Sequence, residues 1–392
     1  MADVRTPPKR RDWSWRSQAV RGVIYQIVAI AVIAAAVWFL AHNTLENMRV
    51  RGIQSGFGFL GSPAGFDIGE MLINYDALDP YWKAFLVGIL NTLRVAVIGI
   101  VLTTVLGTLL GIGRFSHNAI VRGLCYGYVE LFRNIPVLLQ LLLWYLVFTE
   151  ILPDTNAALS VGSVFLSKGG LSFPVPIWGI GQGLASLGAI LGLVLALFYR
   201  HWAMQQFERT GRVRDTFWPA LALIFGMAFV GWLVGGAPTE WNTPKQGEVM
   251  VEDGAAMTPE FMAVLLGLTL YTASYVAEVV RAGIASVSHG QGEAASSLGL
   301  SRGQSMRLVV LPQALRVIIP PLTNQYLNLT KNSSLAVAIG YPDVVSISNT
   351  AINQTGRAVE CIAIIMLVYL STSLSTSGLM NWYNKRSAIK ER

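Results

Sequence analysis

Eight long apolar runs alternate with more polar segments along the chain, near 24–41, 84–112, 128–152, 179–199, 217–235, 260–286, 317–340 and 358–380. Each is roughly 18 to 29 residues, enough for an α-helix to cross a ~30 Å hydrocarbon layer, with tilt for the longest. In lipid such spans must be helical, because every backbone N–H and C=O needs an internal partner. The pattern predicts an all-α integral membrane protein with about eight transmembrane helices. Composition agrees, since 53% of residues are hydrophobic and only 13% charged, about half the charge of a soluble chain.

Charge then orients the spans. With the N-terminus in the cytoplasm, nineteen Lys and Arg fall in inner segments and six in outer ones. The inner set comprises Arg5, Lys9, Arg10, Arg11, Arg16, Arg21, Arg114, Arg122, Arg200, Arg209, Arg212, Arg214, Arg302, Arg307, Arg316, Lys385, Arg386, Lys390 and Arg392. Basic loops stay on the cytoplasmic side, so both termini are expected there. The net charge of +7 therefore reflects topology and gives no reason to expect nucleic acid as a partner. The first apolar run is too long for a signal-peptide core, so it is expected to remain as a membrane anchor. Cys125 and Cys361 form no CxxC pair, and the four histidines show no metal-ligand spacing. No HExxH, nucleophile constellation or catalytic carboxylate pair is present either. The expectation is no catalytic residue and no bound metal.

The most informative stretch is EAASSLGLSRGQSMRLVVLP, residues 293–312, a basic segment between two apolar runs. Glu293-Ala294-Ala295 is followed by Gly299, then Val309, then Leu311-Pro312. Small side chains suit a short helix over 293–298 that presses into a groove. Gly299 supplies a sharp break that other residues make only with strain. Ser301 can cap a second helix, and Pro312 marks an interruption of regular hydrogen bonding.

This spacing resembles the cytoplasmic EAA loop of permease subunits in binding-protein-dependent ABC importers, with Val309 where that family most often has isoleucine. The resemblance extends to NTLRVAVIGIVLTTVLGTLLGIGR (91–114), ELFRNIPVLLQLLLWY (130–145), residues 271–299 and residues 311–345. It is most similar to the polar and general L-amino acid importers. It implies a bacterial inner-membrane, multi-pass permease built on a five-helix type I importer core with extra helices. It also implies a cytoplasmic ABC ATPase dimer, a second similar permease subunit (a different chain rather than a copy), and a periplasmic amino acid-binding protein. Glu293, Ala294, Ala295, Gly299, Leu311 and Pro312 would couple to the ATPase. The chain has no GxxxxGK[ST] loop to cradle phosphates, so no cofactor is expected here and ATP–Mg belongs on the partner ATPase. An ion-gradient-driven secondary amino acid transporter is the alternative. It would want paired intramembrane acids and two recognisable halves.

Boundaries follow. Residues 1–23 form a cytoplasmic tail, and 24–83 the first span and a long periplasmic segment. Residues 84–152 form the first part of the core. Residues 153–259 insert two spans, and the outer segments 42–83 and 237–259 are both read as solvated connections. Residues 260–384 complete the core, with the coupling loop at 288–316, and 385–392 form a second tail. Within the last part, Asn324, Asn328, Lys331 and Asn332 recur at helical spacing, with Ser333 adjoining. This polar stripe either lines a substrate path or holds helices together, because lipid exposure is costly. Gln140 in the third run carries the same two readings. Glu278 and Arg281 are expected to pair, and Arg94 to reach outer headgroups or a cavity.

Overall fold

The computed structural model describes residues 18–50, 52, 55–211 and 214–387. Arg5, Lys9, Arg10, Arg11, Arg16, Arg51, Arg212, Lys390 and Arg392 lie outside the described residues, as does most of each expected tail. Twelve α-helices occur among the described residues. They are α1 (Gln18–Val50), α2 (Tyr81–Gly113), α3 (Ala119–Asn134), α4 (Val137–Leu146), α5 (Ile180–Thr210) and α6 (Phe217–Val234). After them come α7 (Pro259–Ala285), α8 (His289–Ser297), α9 (Arg302–Ser305), α10 (Leu311–Asn332), α11 (Val344–Thr355) and α12 (Ala358–Ser387). Among the described residues, seven helical segments are long and apolar enough to cross a membrane, and α3 with α4 makes an eighth if that bent pair crosses as one. The protein is an all-α, multi-pass membrane protein.

The third apolar run departs from a single straight span over 128–152. It is two helices bent by 102°. Ile135 between them is extended (φ −100°, ψ 126°), the conformation forced on a residue that precedes proline. Pro136 then opens α4 from the N-cap position. Gln140 closes the joint. Its side-chain amide donates to Phe132 O at 3.0 Å and Ile135 O at 2.9 Å, carbonyls that the break leaves without helical partners.

The insert also differs from a pair of spans with solvated connections. Its flanks fold into short strands: β1 (Leu159–Val161), β2 (Val164–Ser167), β3 (Gly170–Phe173), β4 (Val175–Pro176), β5 (Trp241–Asn242), β6 (Lys245–Gln246), β7 (Val251–Glu252) and β8 (Ala255–Met257). One antiparallel sheet runs β1-β2-β3-β8. Pairing of β3 with β8, for example Leu171 opposite Met257, ties the chain entering the α5–α6 hairpin to the chain leaving it. Strands this short carry no readable alternation, so the sequence offers only turn formers there.

The described residues form two compact units. The first, Met1–Ile89 with Val344–Ser371, has a core of Phe59, Ile68, Tyr75, Tyr81, Phe85, Ile347 and Cys361. Residues 55–80 supply Phe59 and Tyr75 to this core, so they are a packed segment and not the solvated connection expected, because their apolar side chains find a core to enter. Glu360 accepts a hydrogen bond from Gly56 N, and Arg357 donates to Gly56 O. At the start of α2, the Lys83 ammonium bonded to Asp79 at 2.6 Å holds that carboxyl below its ordinary range.

The second unit, Leu90–Asp343 with Thr372–Arg392, is organised around α7. Phe261, Leu268, Ala273, Val276 and Val280 of α7 are buried, with α4 on one side and α10 and α2 on others. Side chains at the α2 contact are minimal. A Cβ at Gly107 would stand 2.6 Å from Val276 Cβ, and one at Gly111 would stand 2.8 Å from Ala277 O. Small residues let helix backbones approach where lipid offers no hydrophobic drive to association. In the same unit α5 and α6 interlock, Gly188 against Met227 O and Gly231 against Leu184 O.

Gly107→Leu is expected to cost about 1–3 kcal/mol through overpacking and to lower the thermal unfolding temperature of the detergent-solubilised protein. At Gly226 of α6 an added Cβ meets nothing within 4 Å, so Gly226→Ala should leave unfolding unchanged. Equal behaviour of the two variants would remove the close-approach argument.

Candidate coupling loop and polar helix face

Between α7 and α10 the chain makes a compact knuckle. Helix α8 begins at His289, four residues before the expected start at Glu293, because Ser288 already holds the extended N-cap conformation (φ −61°, ψ 141°). It ends as the sequence suggests. Gly299 is left-handed at φ +75°. Its N–H donates to Ser296 O at 2.9 Å, and Leu300 N–H donates to Ala295 O at 3.1 Å. This pair of bonds is the glycine-terminated helix stop that satisfies the last carbonyls. An added Cβ at Gly299 would meet nothing within 4 Å, so glycine is needed there for conformation and not for space.

Ser301 then caps α9. Its hydroxyl accepts from Gln304 N at 3.3 Å, while Gln304 Oε1 accepts from Ser301 N at 2.9 Å. This reciprocal pair is a capping box. Residues Met306–Val310 follow as a π-helical turn, with Leu311 N bonded to Met306 O. That shift of register precedes Pro312, where regular bonding was expected to be interrupted. The helix nevertheless continues, and the apolar segment runs without a stop from Gly303 to Ile339.

Among the expected coupling residues, Glu293, Ala294 and Leu311 are exposed, Pro312 is half-buried and Ala295 is 2% exposed. The small size of Ala295 therefore serves packing within the knuckle itself. Leu298, at its tip, is 81% exposed. A groove of about 570 Å³ is lined by His289, Gly292, Glu293, Ser296, Ser305 and Met306, among others.

Gln313 was not singled out from sequence. Its amide donates to Gln291 Oε1 at 3.2 Å and Val309 O at 3.0 Å, so it fastens α8 to the start of α10. The signal was available, an amide directly after Leu311-Pro312 at the mouth of an apolar run. Gly283 of α7 also faces Ile318 of α10 so closely that a Cβ would lie 2.2 Å from Ile318 Cγ1. The knuckle is thus clamped at its base.

Helix α10 has two faces. Ala314, Ile318, Leu322, Tyr326 and Leu329 are buried, with the Tyr326 hydroxyl 2.7 Å from Thr104 Oγ1 of α2. Asn324, Asn328 and Lys331 are exposed together on the other face, at helical spacing. Asn332 is half-buried. Ser333 leaves this stripe: it is 1% exposed and donates to Thr330 O at 2.7 Å. Gln140 is also apart, 2% exposed within the α3–α4 joint.

The expected Glu278–Arg281 pair is present at 2.5 Å, and Arg114, the residue after α2, completes it, also at 2.5 Å. One carboxylate thereby joins α2 to α7. Arg94 does not reach outward to headgroups. Its guanidinium lies 3.9 Å from the Phe261 ring centre, a cation–π contact inside the second unit. Arg133 sits 5.4 Å from the Tyr275 ring.

Residues 188–389 match the family model described as binding-protein-dependent transport system inner membrane component. The general L-amino acid transport system permease protein AapQ of Rhizobium johnstonii is 45% identical over 392 residues, covering 99% of this chain and 98% of that protein. The glutamate/glutamine/aspartate/asparagine transport system permease protein BztB of Rhodobacter capsulatus is 40% identical over 95% of each. The chain belongs to the binding-protein-dependent transport permeases. It is a transport subunit and not an enzyme, and its knuckle carries the EAA motif typical of the family. Permeases of this family act with ABC ATPases and a substrate-binding protein.

Gly299→Asn is expected to retain most of the knuckle, since asparagine tolerates the left-handed region, whereas Gly299→Val should open it. Limited proteolysis at Arg302 and Arg307 reports the difference. Equal protection in both variants would show that the φ of Gly299 does not matter.

Proposed function

We propose that this chain is the translocating half of an ATP-driven importer of L-amino acids, with the knuckle at 288–316 receiving the ATPase's movement. The observation that carries the substrate class is near full-length identity of 40–45% to permeases of amino acid systems. A path for a small zwitterion needs two such bundles, and the exposed Asn324, Asn328 and Lys331 face supplies groups suited to line it. Lys331 attracts the carboxylate in transit, while the amides offer weak stations that let the substrate leave as well as enter. Asn332 borders this face. Ser333 and Gln140 are better suited to holding the helices around it. The second bundle is a similar permease of different sequence, and a periplasmic amino acid-binding protein delivers substrate from outside.

ATP–Mg is bound on the partner ATPase dimer, and this chain binds no cofactor of its own. Glu293 is positioned to bond cationic or amide groups of the ATPase, and exposed Ala294 leaves room for close approach. Ala295, Gly299, Leu311 and Pro312 keep the knuckle stiff and joined to α10. The nineteen-to-six distribution of Lys and Arg supports cytoplasmic placement of the knuckle and of both termini. Closure of the ATPases then moves the knuckle as a lever, rocking α7 and α10 between inward- and outward-open arrangements.

The reading is tested by uptake of labelled L-amino acids into proteoliposomes holding the complete complex. Uptake should require internal ATP and survive a protonophore; uptake that follows an ion gradient without ATP would overturn it. Glu293→Lys should reduce uptake more than about tenfold through like-charge opposition at the interface, with the protein still membrane-inserted. Normal uptake in this variant removes Glu293 from docking. Lys331→Ala should raise the substrate level for half-maximal uptake about fivefold, equivalent to ~1 kcal/mol, with assembly unchanged. Lost assembly at normal substrate affinity would assign Lys331 to subunit packing.

A further inference from the structure

The inserted hairpin carries a built cavity that the transport reading leaves unused. Helix α5 has 31 residues, so at ~1.5 Å per residue it is longer than the ~30 Å hydrocarbon layer. Its charged residues begin at Arg200, which places that residue at the layer's edge. There a cavity of about 280 Å³ is lined by Arg200, Ala203, Met204, Phe207, Arg214 and Thr216. Two arginines thus line one cavity with apolar walls.

The surrounding charges favour an anion. Neither arginine has an ion-pair partner among the described residues. The nearest acids in sequence are Glu208 and Asp215. Asp215 Oδ1 accepts the Phe217 N–H at 2.9 Å, and Glu208 is exposed on α5 without an ion pair. Thr216 is the N-cap of α6 and gives no side-chain cap. The start of α6 adjoins the two arginines, and its first N–H is already met by the Asp215 carboxylate, so the attraction for an anion comes from the arginines themselves. Arg214 is stacked 4.9 Å from the Trp202 ring centre, and Trp202 and Trp218 are both exposed. Aromatic side chains of this kind settle at the headgroup level. The remaining wall, Met204 and Phe207, is exposed and apolar, which suits the first methylenes of an acyl chain.

We propose that this cavity binds a phosphate-bearing anion, the headgroup of an anionic phospholipid held between Arg200 and Arg214 at the basic end of the hairpin. Each arginine near a membrane surface contributes roughly tenfold or less to anionic lipid affinity. The test uses the full chain, purified with its co-assembling subunits, in native mass spectrometry. The probes are short-chain phosphatidylglycerol, short-chain phosphatidylcholine and inorganic phosphate. The wild type should retain phosphatidylglycerol in preference to phosphatidylcholine. Arg200→Gln with Arg214→Gln should lower that retention about tenfold or more, and Arg200→Lys with Arg214→Lys should preserve part of it. Arginine-dependent retention of inorganic phosphate as strong as that of phosphatidylglycerol would keep the phosphate site and overturn its lipid occupant. Retention of phosphatidylglycerol unchanged in the glutamine variant, or no preference over phosphatidylcholine in the wild type, would overturn the proposal.

Discussion

Close backbone approach at α7 is the constraint on which the second unit depends. Apolar side chains gain little by leaving lipid for one another, so helices there hold together through contact distance and a few buried polar bonds. Gly107 and Gly111 let α2 settle on Val276 and Ala277, and Gly283 lets α10 settle through Ile318. The Arg114–Glu278–Arg281 group adds a charged tie between α2 and α7 where the bundle gives way to polar chain. An isolated carboxylate or guanidinium would be costly near the membrane, and the three together offset one another's desolvation.

The knuckle inherits its stiffness from this packing. It is bounded by two helices clamped at Gly283 and Ile318, and its internal turns have satisfied hydrogen bonds at Gly299 and Ser301. Gln313 joins α8 to α10 across the knuckle. A push on such an element moves helices instead of bending a loop, because each joint is closed by packing or by a hydrogen bond. The exposed polar stripe Asn324–Asn328–Lys331 lies on α10 itself, so the helix that leaves the knuckle also carries this face.

The hairpin α5–α6 obeys the same rule in another place. Glycines on both helices bring their backbones together, and the outer face of α6 is left exposed. Its basic end carries Arg200 and Arg214 around one cavity, without an ion-pair partner for either among the described residues.

Hydropathy sufficed for the helical class and for where the long apolar helices fall, because a membrane leaves the backbone no other choice. The stop at Gly299 and the cap at Ser301 were also legible, since each depends on one residue and its immediate neighbours. The pairing of Glu278 with Arg281 was local for the same reason. The bend at Pro136 was missed as a break because hydropathy continues through it, although the residue before a proline is a local signal. Other features needed the fold. Arg114 joins Glu278 from 164 residues away, and Arg94 finds the Phe261 ring across helices. Ser333 turns inward while Lys331 stays exposed, since a rotation of about 200° separates residues two apart on a helix. Thus the chain's own order of apolar, small and turn-forming residues determined what the segments are and where they end. Which side chains meet was decided only by tertiary packing, because the contact distances between helices depend on residues far apart in sequence.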